Sequence, residues 1–215
     1  MIFLRYESFK DYLRLYPVTA GLIVLNIIYF IVVVLNGKLS NPLHLYQFGA
    51  FINHYQADPF GLSEPWRYLS SMFMHGSVDH LLFNMFALIV FAPPLEYLLK
   101  SARYLMLYLL SGIGGNVLGA LVDVLTKDEH ARLAVGASGA IYGIYGAYLF
   151  IALYRKSMLD ASSIKTVYII LAFGVVYSVI IPRVDLWGHV GGALVGFALY
   201  ALMDRAKMWK RRYRK

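Results

Sequence analysis

A serine and a histidine stand where a membrane-crossing chain should carry hydrocarbon. Gly136-Ala137-Ser138-Gly139 opens one apolar segment, and His189, within Gly188-His189-Val190-Gly191-Gly192, opens another. A hydroxyl beside a neutral imidazole makes a nucleophile with its general base. The ring, whose ordinary pKa is about 6.5, takes up the proton as the oxygen attacks a carbonyl carbon. A serine in an apolar helix ordinarily bonds a carbonyl one turn back. Here Gly136 and Gly139 bracket it, so another backbone can come close. A place in the first helical turn adds free amide groups and the positive end of the helix dipole. The pattern is not the Gly-x-Ser-x-Gly elbow of soluble hydrolases. An ionisable residue inside a membrane segment, as His189 would be, is a functional-site candidate by default.

Further groups fit the same chemistry. His80 and Asn84, four residues apart, share a helical face and can both donate toward a developing oxyanion. His75, five residues before His80, points elsewhere on a continuous helix and reads as a brace for the outer loop. Tyr142 lies one turn below Ser138 on the same face and can stack on the imidazole. Asp185 is near His189, but capping the following helix is its better role. With no carboxylate left to orient the histidine, the set reads as a dyad rather than a triad.

The elements that must position these residues are membrane helices. Of the 215 residues, 60% are hydrophobic and 15% charged, and the apolar excess falls in blocks. The absence of cysteine excludes disulfides, thiolate metal sites and a cysteine nucleophile. Six stretches approach the roughly 20 apolar residues that a crossing needs, at about 17–36, 78–99, 103–123, 134–154, 165–181 and 187–204. The expectation is an all-α bundle of six transmembrane helices forming one domain over 1–215. Residues 1–16 read as an amphipathic leader, 37–77 as an aromatic, proline-interrupted lobe at the outer interface, and 205–215 as a basic tail.

With the amino terminus in the cytoplasm, fifteen of the twenty Lys and Arg residues fall on that side, which sets the expected orientation. An anionic membrane surface then accounts for the net charge of +8, and no nucleic-acid partner is expected. In this orientation His80, Ser138 and His189 all lie near the outer ends of their helices. Gly192 and Gly196 follow His189 at i+3 and i+7, and Gly139, Gly143 and Gly146 form a second small-residue row. Packing the two rows together would bring His189 up to Ser138.

With these residues in place the chain resembles the rhomboid intramembrane serine proteases. The matching elements are Trp66-Arg67, His75…His80-x-x-x-Asn84, Gly136-x-Ser138-Gly139 and His189-x-x-Gly192-x-x-x-Gly196, in order over about 60–200. The resemblance implies a serine endopeptidase that cuts near the outer end of transmembrane helices, with transmembrane proteins as substrates and the bilayer as its medium. It implies Ser138 as nucleophile and His189 as base, and His80, Asn84 and the Ser138 amide as the oxyanion hole. Tyr142 would stack on His189, and Trp66-Arg67 would stabilise the loop lobe. No cofactor or metal is implied. Two departures are local: relatives often have glycines around the glutamate of that turn, whereas here Ala92-Pro93-Pro94-Leu95 leads into Glu96 and Lys100 follows, which leaves the end of that helix open.

Access must then be arranged. A cavity lined by His75, His80, Asn84 and Ser138 would admit water. The segment with Phe173, Gly174 and Tyr177 would gate laterally against Phe83, and the loop Pro182–Trp187 would cap the site. A prokaryotic plasma membrane is the expected home. Three other readings are a zinc site on His75, His80 and His189, which lacks an HExxH helix, an inactive escort protein and a small transporter.

Overall fold

The computed structural model describes residues 1–181 and 184–212, with side chains through 206. Pro182 and Arg183 of the expected capping loop, and the end of the basic tail, lie outside the described residues. In chain order the helices are α1 (Phe9–Leu15), α2 (Pro17–Asn36), α3 (Pro42–Gln47), α4 (Arg67–Ser70), α5 (Val78–Leu99), α6 (Ser101–Thr126), α7 (Ser138–Tyr154), α8 (Ala161–Ile180) and α9 (Leu186–Arg212). Five of them, α2, α5, α6, α8 and α9, are long and apolar enough to cross a membrane. The shorter α7 has 17 residues.

Several boundaries differ from the sequence reading for identifiable reasons. The stretch expected from 134 begins as a helix only at Ser138. Arg132–Ala134 forms a strand, β2, antiparallel to β1 (Phe51–Asn53), with Phe51 opposite Ala134. Apolar residues there pair with the lobe between α2 and α5 instead of entering the bundle. Helix α8 starts four residues before the expected 165, because Asp160 caps it by accepting from the Ser163 backbone N–H at 3.1 Å. Helix α9 continues past 204 into the basic stretch, whose Lys and Arg residues are good helix formers. The Pro93-Pro94 pair does not end α5, which runs on to Leu99.

Packing centres on α6, α7 and α9. Without a solvent-driven hydrophobic effect inside a bilayer, close packing and hydrogen bonds must hold the helices together. Glycine provides the first. The space a Cβ would need at Gly192 holds the Gly139 carbonyl, that at Gly196 the Gly143 carbonyl, and that at Gly146 the Ala193 carbonyl. Each of these α7–α9 contacts is backbone on backbone, so a methyl group there must force the helices apart.

Hydrogen bonds fasten the opposite end. Buried Glu96 on α5 accepts from the Val18 N–H at 3.0 Å, the Thr19 N–H at 2.8 Å, the Thr19 hydroxyl at 2.7 Å and the Ser101 hydroxyl at 2.7 Å. The carboxylate thereby satisfies free amides at the start of α2 and ties α2, α5 and α6 together. The leader adds to this end of the bundle. Phe3 is buried edge-on to Phe91 and Tyr148, and the Ile2 N–H donates to Ser163 Oγ at 3.0 Å.

Candidate active site

The lobe between α2 and α5 is fastened by one buried arginine. Arg67 donates to Glu64 at 2.8 Å and to the Tyr46 and Ala50 carbonyls, with its guanidinium against the rings of Tyr46 and Trp66 at 3.9 and 4.5 Å. Trp66 and Arg67 thus hold the lobe and lie outside the cluster around Ser138. From α4 the chain passes through a 3-10 turn, Ser71–Phe73, whose Ser71 carbonyl accepts from the Gly136 N–H at 2.9 Å. The lobe therefore fixes the residue two positions before Ser138.

Gly136 has two reasons to be glycine. Its φ of +126° lies where side chains are strained, and a Cβ there would stand 2.6 Å from His80 Nε2. The same point lies 3.6 Å from Ser138 Oγ, so the imidazole and the hydroxyl face one small space. Ser138 is the first residue of α7, and no side chain caps this end. Amides in that turn are unpaired within the helix and carry its positive partial charge.

His189 enters from α9, in the second turn after Asp185. Asp185 caps this helix, accepting from the Gly188 N–H at 2.8 Å, and is ion-paired with Arg132 of β2. The imidazole is buried and stacks flat on Tyr142, with 4.0 Å between centroids and 7° between planes. Its Nδ1 lies 2.8 Å from the hydroxyl of Ser178 on α8. Sequence reasoning missed Ser178. The only available signal was a polar residue in an apolar helix one turn after Gly174, a pattern that packing alone can explain.

Ser138 and His189 line a common cavity of about 30 Å³, room for roughly one water molecule. Its other walls include Ser71, Asn116, Gly136, Gly139 and Asp185. This differs from the expected cavity, because His75, His80 and Asn84 are not among its walls. Gly112 and Gly115 line it on the α6 side, where Met72 and the Gly188 carbonyl fill the space that a Cβ at each would need. Asn84 is buried, and its Nδ2 has no hydrogen-bond partner among the described residues.

His75 packs edge-on to His80 at 5.0 Å, with both ring nitrogens unpartnered among the described residues. Burial, with His80 beside it, pushes the His75 imidazole down to about 3, so it is neutral at ordinary pH. Among the described residues no three His, Asp or Glu side chains gather to hold a metal ion. Phe173 stacks on Tyr177 within α8, and both Phe173 and Phe83 are exposed.

Comparison with known proteins adds independent findings. A family model, Rhomboid domain, matches residues 62–206. YdcA of Bacillus subtilis (strain 168), provisionally named a rhomboid protease, is 34% identical over 213 residues, 99% of this chain and 100% of its own length. Rhomboid protease GluP of the same organism is 30% identical over 185 residues, 86% of this chain. RHOMBOID-like protein 6, mitochondrial, of Arabidopsis thaliana is 39% identical over 156 residues, 69% of this chain. The matched regions are 34% of GluP and 47% of the Arabidopsis protein.

Proposed function

The chain belongs to the rhomboid family of intramembrane proteases, and from that premise we propose that it is a serine endopeptidase with a Ser138–His189 dyad. The observation that carries this reading is the shared cavity. A hydroxyl at a helix N-terminus and an imidazole clamped flat by Tyr142 line the same water-sized space.

Ser138 Oγ attacks the carbonyl carbon of the scissile bond while His189 Nε2 takes its proton. The carbonyl electrons move to oxygen, and the resulting oxyanion accepts from the Ser138 N–H, His80 and Asn84 Nδ2. Asn84 brings a buried donor with no competing partner among the described residues. The imidazolium then protonates the leaving amine, and the peptide bond breaks to give an acyl-enzyme. Water, deprotonated by His189, attacks the ester. The second intermediate collapses, releasing the acid and restoring the serine.

The substrate is a transmembrane protein whose backbone is extended near the outer end of its helix, because helical carbonyls are already paired. Six crossings, with α7 as the short one, put both termini in the cytoplasm and the dyad near the outer face of a prokaryotic plasma membrane. The distribution of basic residues supports that orientation. Helix α8, the least buried of the five long spans, is the side through which substrate enters.

The test is cleavage of a single-pass model substrate by purified protein in detergent, with and without chelator. Ser138→Ala and His189→Ala should each lower the rate by more than about 10³-fold, while chelator leaves the wild type unchanged. Cleavage that survives Ser138→Ala refutes the mechanism. Sensitivity to chelator would point to a metal hydrolase instead.

A further inference from the structure

Ser178 reaches His189 from a different helix, and the geometry decides where its proton goes. The Ser178 hydroxyl lies 2.7 Å from the Gly174 carbonyl oxygen, one turn back, and 2.8 Å from His189 Nδ1. A hydroxyl has one proton to donate, a carbonyl oxygen can only accept, and a neutral imidazole nitrogen does one or the other. If the proton pointed at His189, two oxygen lone pairs would face each other at 2.7 Å. If it is given to Gly174, a lone pair of Ser178 faces the ring. Both contacts are then satisfied only when Nδ1 carries the hydrogen. The free lone pair of the neutral ring is left on Nε2.

We propose that Ser178 is a positioning residue: it holds His189 in the Nδ1–H tautomer and so keeps Nε2 available to Ser138. This deepens the dyad reading above and rests on it. Burial supports a specific role, because Ser178 is 6% exposed while Val175, Val176, Val179 and Ile180 around it face outward. One turn earlier the Tyr142 hydroxyl fills the space a Cβ at Gly174 would need. The same stretch of α8 therefore meets both members of the stacked pair. The role that a carboxylate fills in a triad falls here to a neutral hydroxyl whose own proton is committed elsewhere. It follows that His189 is held for catalysis only while the outer half of α8 lies against α9.

Nitrogen NMR of the purified full-length chain with isotopically labelled histidine tests the assignment, with His189 identified by loss of its signals in His189→Gln. The unmutated protein near neutral pH should carry the His189 proton on Nδ1. Ser178→Ala should give mixed tautomers and lower kcat roughly 10- to 100-fold with little change in KM. Ser178→Thr, which keeps the hydroxyl, should restore both. A proton on Nε2 in the unmutated protein, or unchanged kcat and tautomer in Ser178→Ala, overturns the proposal. The tautomer of the unmutated protein can overturn the proposal even if Ser178→Ala does not fold. Cleavage that persists in Ser138→Ala removes the dyad without touching the tautomer, so the two failures are distinguishable.

Discussion

Asn84 is a buried amide whose donor has no partner among the described residues, which is expensive to maintain unless something passes through to receive it. An oxyanion that forms only during reaction is such a receiver. Asn84→Ala should therefore lower kcat by about 10²- to 10³-fold with little effect on KM, the mark of an interaction made in the transition state. An equal rise in KM with unchanged kcat would assign Asn84 to substrate binding instead. The residues of the site were unevenly legible in the sequence. Ser138, His189 and the His80–Asn84 pair could be picked out because each is polar where hydrocarbon is expected. Tyr142 could be placed from helical spacing alone. Ser178 could not, because its meaning lies in a neighbour on another helix. Gly136 could be read as a close-approach residue, but not as one held at a positive φ against the His80 ring.

Among the elements, α8 is attached differently at its two ends. Its second half meets the bundle at Gly174 and Ser178, whereas its start is tied by Asp160, Ser163 and the leader. The Asp160 carboxylate accepts from the Ser163 hydroxyl at 2.6 Å and lies 3.4 Å from the Met1 ammonium. These partners, the Ser163 hydroxyl foremost, hold the carboxyl at about 2, below its ordinary 3.8. A depressed carboxyl contributes stability that is complete above its unfolded value and fades as pH falls toward the folded one. Between about pH 4 and pH 2 the thermal midpoint of the wild type should drop more steeply than that of Asp160→Asn. Parallel slopes would show that the cap adds no pH-dependent stability. The apolar runs of α2 and α5 made both readable to the residue, although α5 also carries Asp79, His80, Asn84 and Glu96. The start of α8 was obscured by Ser162, Ser163 and Lys165, which dilute the pattern that a cap then overrides. Strands β1 and β2, three residues each, are too short to leave any periodicity.

At the scale of the whole molecule, the two joined ends of the fold do different work. The Glu96 knot and the leader bind the helices at one end, and the lobe, clasped by Arg67 and paired through β1 and β2, sets the backbone around Ser138 at the other. Between them runs α7, whose 17 residues at roughly 1.5 Å each span about 25 Å. A typical hydrocarbon layer is about 30 Å thick. The central helix is therefore shorter than such a layer, and because no residue from Ser138 to Ala152 is exposed, its longer neighbours rather than lipid surround it. In a thicker layer Ser138, at the start of this helix, would lie farther from the water that hydrolysis consumes. The depth of Ser138 then follows the thickness of the bilayer. In vesicles of phosphatidylcholines with successively longer acyl chains, turnover of one substrate should decline as the layer thickens, at constant protein fold. A flat profile would mean that water reaches Ser138 equally well at every thickness.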